Sequence, residues 1–381
     1  MNTKNVSVPG NPFRYGEPVP PEELLDRDQE AQTLLKNAFG GHNSRLVAPR
    51  RYGKTSLLAR VAGEARATGW AAIYVDFFGV LTLDDIAERI ERAYVHELRG
   101  RLGNWFANVR RMLRPTVQLG GGPPPAGVEV STDPQAETPL LERLALPARL
   151  YEKHGTRTLA IFDEFQDILA TRERVDAVIR SEIQHHGDAA SYVFAGSHMG
   201  MMRDLFADKR RAFYGQASPL SLLPLRYDDV GEYVADRFEA TDRSIGTALD
   251  PLLVTTQGHP QRAMLLAHIL WDLTPPGAEA TETTWFDAYD QAMLQLHDEL
   301  RALWSSLPTY QRRVLAAVAD GSERVYAASR RHGGSRGAAP GRAIQALLDR
   351  GEIVADSATE PGYRLIDPLL AAWVKEGRPG K

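Results

Sequence analysis

The 381 residues exceed one average domain, and at about 150 residues per unit they predict two or three compact units. Hydrophobic residues make up 43% and charged residues 25%, a globular balance that excludes a disordered chain. The absence of cysteine excludes disulfides, thiolate metal sites and cysteine nucleophiles, so a metal must take oxygen or histidine ligands. The start, MNTKNVSVPGNPF, holds no apolar core of signal-peptide length, and no run approaches the roughly 18 apolar residues of a membrane span, so the chain reads as cytoplasmic with no membrane partner. Net charge is −4, but residues 301–381 carry 13 Lys and Arg against 8 Asp and Glu, a local +5 that hints at nucleic acid without establishing it.

In chain order, the Pro- and Gly-rich stretch up to Glu22 reads as an extended arm. The apolar stripe of Leu24, Leu25, Leu34, Leu35 and Phe39 predicts a helix that ends at Gly40-Gly41. Four apolar runs follow, at Arg45 to Ala48, Ala71 to Phe77, Thr158 to Phe162 and Ser191 to Ala195, each leading into a turn or helical pattern. This is the alternation of a parallel α/β sheet flanked by helices. Between the second and third runs, GGGPPPAG separates TVQLG from VEVS and reads as a protruding hairpin or loop at 116–131, preceded by Arg110, Arg111 and Arg114. Residues 223–298 read as helices only, and residues 299–381 as helices followed by a strand pair, the order of a winged helix-turn-helix. The expected units are therefore 1–222, 223–298 and 299–381.

The strongest local pattern is RLVAPRRYGKTSLLARVA. A strand enters the loop Ala48, Pro49, Arg50, Arg51, Tyr52 and Gly53, then Lys54 and Thr55 open a helix at Ser56, the context a phosphate loop requires. Main-chain N–H groups at such a helix start face phosphate. Lys54 would neutralise the β and γ phosphates of ATP and Thr55 would ligate Mg²⁺. Ala48 stands where the pattern has its first glycine, which is tolerable if the local backbone avoids positive φ. The second part is TLAIFDEFQDIL, a strand ending in two carboxylates. Asp163 is expected beside the metal and Glu164 against the attacking water, a pair that suggests hydrolysis. Ser197, after the run SYVFAG, either senses the γ-phosphate and holds the water or caps the following helix. His185 and His186 have no third ligand at a suitable spacing, so no metal beyond nucleotide-bound Mg²⁺ is expected.

With these segments in hand, and with NPFRYGEPV, LLDRDQE, AFYGQASPLSLLPL, TQGHPQRAMLLA and GYRLIDPLLAAWV, the chain resembles the archaeal-type ATPases of the AAA+ and STAND group and, more distantly, the origin-recognition ATPases. The resemblance implies a P-loop core, a helical lid and a C-terminal winged helix. It implies that Pro12, Phe13 and Arg27 frame the adenine. Two departures stand out: Gln216 replaces the arginine expected after Phe213-Tyr214-Gly215, leaving Arg210 or Arg211 as stand-ins, and Arg262 sits one place later than the usual lid arginine, so its reach to phosphate is expected to be weak. Two functions stay open. One is an ATPase whose winged helix binds double-stranded DNA through residues 330–350, which carry Arg330, Arg331, His332, Arg336 and Arg342. The other is an ATP-driven signalling switch whose winged helix docks a protein partner or a second copy of the chain.

Overall fold

The apolar runs form four of the five strands of a sheet that is covered on both faces, in a computed structural model that describes residues 10–99, 137–171, 174–321, 340–359 and 362–377. Strands β1 (Ser44–Val47), β2 (Ala71–Asp76), β3 (Thr158–Asp163), β4 (Ala190–Gly196) and β5 (Ser218–Ser221) pair in the order β2-β3-β4-β1-β5. Every pairing is parallel. β3 and β4 are buried at each position, which is why their sequences are continuous apolar runs rather than alternating ones. Successive side chains still point to opposite faces: Ile73, Val75, Phe162 and Phe194 enter one core, and Ala72, Leu159, Ile161 and Val193 enter the other.

Helices Leu83–Glu97, Glu137–Leu144 and Val175–Ile183 close the first core, and helices Asp28–Phe39 and Lys54–Ala67 close the second. At the centre of the first lies Phe165, with ring centroids of Phe194 and Phe213 at 4.7 and 5.2 Å. Aromatic pairs of this kind add about 1 kcal/mol each to their burial.

Three departures from the sequence reading have physical causes. β5 was not expected, because SPLS at the sheet edge is largely exposed and carries no apolar run, and its Pro219 is tolerated only at an edge. The first helix begins at Asp28 rather than near Glu23, since a 3-10 turn at Pro21–Glu23 takes up the preceding residues. The expected boundary at 298/299 falls inside one continuous helix, Glu282–Ser306, whose apolar stripe of Ala292, Leu296 and Leu300 runs through it without a breaker.

The segment expected to form the lid comprises helices Tyr227–Glu239, Leu249–Thr256, Pro260–Leu273 and Glu282–Ser306. The C-terminal unit has helices Thr309–Ala319 and Pro340–Arg350, the antiparallel pair β6 (Ile353–Ala355) and β7 (Tyr363–Leu365), and helix Pro368–Lys375. Lid and C-terminal unit share a single hydrophobic core, in which Phe238, Leu266 and Met293 join Leu315, Leu347 and Trp373. The hairpin expected at 116–131, the arginines before it, and Arg330, Arg331, His332 and Arg336 lie outside the described residues. No helix among the described residues is long and apolar enough to cross a membrane.

Candidate functional site

Parallel strands deliver their carboxyl ends to one edge of the sheet, and three of the loops that leave that edge carry the polar groups singled out in the sequence. From β1 the chain passes through Ala48, fully buried, whose N–H donates to Gly196 O at 3.2 Å. Ala48 is not among the described residues of positive φ, so its methyl group is accommodated. Gly53 has φ +83°, and a Cβ there would meet nothing closer than Leu24 Cδ1 at 3.8 Å, so its requirement is conformational rather than steric. Arg51 adopts φ +68° beside it. Helix Lys54–Ala67 then starts with Lys54 and Ser56 buried and Thr55 exposed.

β3 ends at Asp163 and β4, between β3 and β1, ends beside Ser197. The Lys54 ammonium donates to Asp163 Oδ1 and Glu164 Oε1. Tyr74 Oη donates to Asp163 Oδ2 at 2.6 Å. Ser197 Oγ donates to Glu164 Oε2 at 2.8 Å, with the Ser197 N–H at 3.3 Å from the same oxygen. Ser197 thus holds the acid, while the following helix Met199–Ala207 is capped by His198 Nδ1, which accepts from the Met201 N–H. Glu164 has φ +46°, a left-handed conformation that costs a non-glycine residue of order 1 kcal/mol and lifts its side chain out of the strand direction. Burial pushes the Glu164 carboxyl up, but Lys54, Gln166 and Ser197 outweigh it and leave the group below the ordinary range. Burial, and then the charge of Asp163, push the Tyr74 phenol far up, so it remains a donor.

These groups stand at one end of a cavity of about 310 Å³. Arg27 and residues 50–56 form part of its wall, the arm contributes residues 14–19, and Leu225, Tyr233 and Met264 close it from the lid side. The volume lies at the lower end of the range for small-molecule sites, about 300–1,000 Å³. The Val19 N–H donates to Ser56 Oγ at 3.0 Å, which pins the arm to the loop helix. Donors suited to a hard divalent cation, the Thr55 hydroxyl and the Asp163 carboxylate, fit nucleotide-bound Mg²⁺. Among the described residues no cluster of three or more His, Asp or Glu could hold a metal unaided, and His186 is a buried core residue whose Nδ1 faces the Tyr192 hydroxyl.

Other expected residues lie elsewhere. Phe13 is not on the cavity wall: its ring is buried in the lid core, 5.6 Å from that of Phe238, and its carbonyl accepts from His268 Nδ1 at 2.7 Å. Pro12 is also absent from the wall, which the neighbouring Tyr15 to Val19 line instead. Arg27 does line the cavity, but its guanidinium is committed to Leu223 O at 2.8 Å and Glu30 at 3.0 Å. Pro49 and Asp163 are buried and do not line the cavity. Gln216 is exposed, Arg210 pairs with Asp208 at 2.8 Å, and Arg211 lies 3.8 Å from Asp176.

Arg262 is not among the residues that line the cavity. Its side chain is 1% exposed and bonded to Asp367, with Glu299 at 3.0 Å. Glu299 also takes a bidentate contact from Arg51 of the phosphate loop. Tyr52 closes the circle, with its ring 4.9 Å from His259 and its hydroxyl 3.5 Å from Ile366 O. Phosphate loop, lid and C-terminal unit are therefore joined through one polar knot. A further contact sits beside Ser197, where helix Met199–Ala207 approaches helix Pro340–Arg350 so closely that a Cβ on Gly200 would lie 2.5 Å from Asp349 Cβ, and Arg203 pairs with Asp349 at 2.9 Å. Sequence reasoning missed Asp367, Glu299, Tyr74 and Gln166. Only Asp367 carried a local signal, the Asp-Pro of a helix N-cap, and its carboxylate does accept from the Leu369 and Leu370 N–H groups.

No protein-family model matches the chain, and no curated protein matches it. Solved structures do. The Walker-type ATPase of Pyrococcus abyssi is 17% identical with a TM-score of 0.64, covering 93% of this chain and 97% of its own. The Aeropyrum pernix ORC2 protein, in ADPNP-ADP complexes, is 17% identical with a TM-score of 0.57, covering 96% of this chain and 98% of its own. The chain thus shares its fold with these two proteins over nearly its whole length.

Proposed function

We propose that this protein binds Mg·ATP in the cavity above the phosphate loop and hydrolyses it, and that the nucleotide governs how the C-terminal unit is seated. The observation that carries the first part is the convergence of Lys54, Asp163, Glu164 and Ser197, from the ends of three strands, on one end of a cavity that the arm and lid close. The fold shared with Walker-type and nucleotide-bound proteins supports it. Main-chain N–H groups at the start of helix Lys54–Ala67 receive the phosphates, and Lys54 moves from the two carboxylates to the β and γ oxygens. Thr55 and Asp163 would hold the magnesium ion, which would supply charge neutralisation on the phosphates. Glu164, freed of Lys54, accepts a proton from water, and Ser197 keeps the carboxylate in place.

The second part rests on the polar knot of Arg51, Glu299, Arg262 and Asp367, because a phosphate loop that shares Glu299 with the lid cannot rearrange without loosening that contact. This favours a nucleotide-driven switch. Double-stranded DNA remains the partner suggested by residues 330–350, of which Arg342 is described and exposed. Turnover of Mg·ATP by wild type, Lys54→Ala and Glu164→Gln, with and without duplex DNA at two salt concentrations, tests both parts. Wild-type turnover in Lys54→Ala refutes the site. Stimulation by DNA that fades steeply with salt supports the DNA partner, because phosphate contacts release counterions. A flat response supports a protein partner or a second copy of the chain.

A further inference from the structure

We propose that Gln166 is a positioning residue for Glu164, fixing one carboxylate oxygen so that the other faces the cavity when Lys54 is drawn onto phosphate. The proposal rests on the reading of Glu164 as the acceptor of the water's proton.

After the left-handed Glu164 the chain turns through the 3-10 segment Phe165–Ala170, which folds Gln166 back beneath the end of β4. There it is 4% exposed. Its Nε2 lies 2.7 Å from Glu164 Oε2 and 3.0 Å from Asp167 Oδ1. Ionised carboxylates only accept, so both amide hydrogens must face them, and the reversed amide would set three acceptors together. Orientation of this amide is therefore dictated by the two acids.

The neighbouring strand makes room for it. Gly196 does not have a positive φ, yet a Cβ there would lie 2.3 Å from Gln166 Oε1 and 2.6 Å from Met202 Sδ. The glutamine amide fills the volume that a side chain on the last residue of β4 would take. Its Oε1 is buried without a partner among the described residues, an arrangement that gives up a hydrogen bond to place the two donors.

The donors divide unequally between the carboxylate oxygens. Oε2 takes Gln166, Ser197 Oγ and the Ser197 N–H, whereas among the described residues Oε1 takes Lys54. When Lys54 leaves, Oε2 stays anchored by groups that nucleotide does not claim, and Oε1 is presented to the cavity. Without Gln166 the carboxylate turns about its last torsion, and misplacement of a reacting group by about 1 Å costs up to a hundredfold in rate. Charge-assisted hydrogen bonds of this type are among the stronger ones, so the loss should be well resolved.

The experiment compares wild type with Gln166→Met, which keeps length and loses both donors, and Gln166→Asn, which keeps a buried amide but is one carbon too short. Each is measured for kcat and KM of Mg·ATP hydrolysis, for ATP affinity by calorimetry and for thermal midpoint, and Gln166→Met is also made in the Glu164→Gln background. Expected are a fall in kcat of about tenfold or more in both variants, ATP affinity within about twofold of wild type, an unchanged midpoint, and no additional loss in the double variant, since residues acting as a unit are not additive. Unchanged kcat in both variants overturns the proposal. So does a parallel loss of affinity and midpoint, which marks a purely structural role. If Glu164→Gln itself turns over like wild type, the reading of Glu164 falls first and the positioning role falls with it.

Discussion

Replacing Asp367 should weaken the polar contact between the C-terminal unit and the lid. Its carboxylate is bonded to the buried Arg262 guanidinium and also accepts from the N–H groups of Leu369 and Leu370 at 3.0 and 3.2 Å. Removing one partner of a buried ion pair costs about 3–5 kcal/mol, and here the lower end applies because Glu299 remains 3.0 Å from the guanidinium. Loss of the N-cap adds about 1 kcal/mol. Asp367→Ala should therefore lower unfolding free energy by about 4 kcal/mol, and Asp367→Asn, whose oxygen still caps the helix, by about 3 kcal/mol. Urea unfolding followed by tryptophan fluorescence reads both, with buried Trp373 in the helix that Asp367 caps as the local reporter.

The same pair carries a pH signature. Burial raises the Asp367 carboxyl, but Arg262 more than offsets it and holds the group below the ordinary aspartate value. A depressed folded value means that the contribution is present above the unfolded pKa, near 3.9, and is lost as pH falls through the lower folded value. The stability gap between wild type and Asp367→Asn should thus close as pH drops below about 4. A cost under about 1 kcal/mol for Asp367→Ala, or a gap that widens in acid, would refute the pairing as described.

Other outcomes are equally specific. Lys54→Met should weaken Mg·ATP binding at least about a hundredfold by calorimetry, since a buried cation aimed at phosphate contributes about 3 kcal/mol. Phe13→Ala, in the lid core, should cost about 3–5 kcal/mol of stability by denaturant titration without altering base selectivity among nucleotides. Burial lowers His186 and His259 to about 4, helped at His186 by the neighbouring His185 and opposed in part at His259 by the Asp367 carboxylate. Their folded values lie below the unfolded 6.5, so stability should fall between pH 6.5 and 4, by about 2 kcal/mol per histidine at pH 5. A His186→Gln variant should lose about half of that slope, measured by unfolding at pH 7 and pH 5.

What could be read in the sequence was what local pattern or burial on both faces dictates. Strands β3 and β4 are apolar throughout because helices cover both of their faces, and the phosphate loop is legible because strand, glycine and helix follow within ten residues. β5 escaped since an edge strand of SPLS has little to bury. The arm does form a wall of the cavity, but periodicity cannot tell which of its aromatics reaches it: Phe13 is buried in the lid core, and Tyr15 lines the cavity while packing against that same core. Arg262 and Asp367 are 105 positions apart, and nothing in either local sequence announces the other. Gln166 stands beside the acid pair in sequence, yet its role depends on a left-handed Glu164 and a side-chain-free Gly196, neither of which spacing reveals.

Electrostatics unites the two halves of the proposed behaviour. In this structure Lys54 alone faces two carboxylates, and Arg51 is turned onto Glu299 of the lid. Two basic groups of the loop, Lys54 and Arg51, are thus already neutralised by carboxylates of the protein. A nucleotide can enter only by exchange: its phosphates take Lys54, and the accompanying divalent cation replaces the ammonium beside Asp163, or two neighbouring carboxylates would be left bare in a buried place. Affinity for ATP without a divalent cation should therefore be poor. The same exchange reaches Arg51 two residues before Gly53, and any movement there withdraws a partner from Glu299, which then bears on Arg262 alone. On the proposed reading, occupancy of the phosphate loop and seating of the C-terminal unit are two readings of one set of charges.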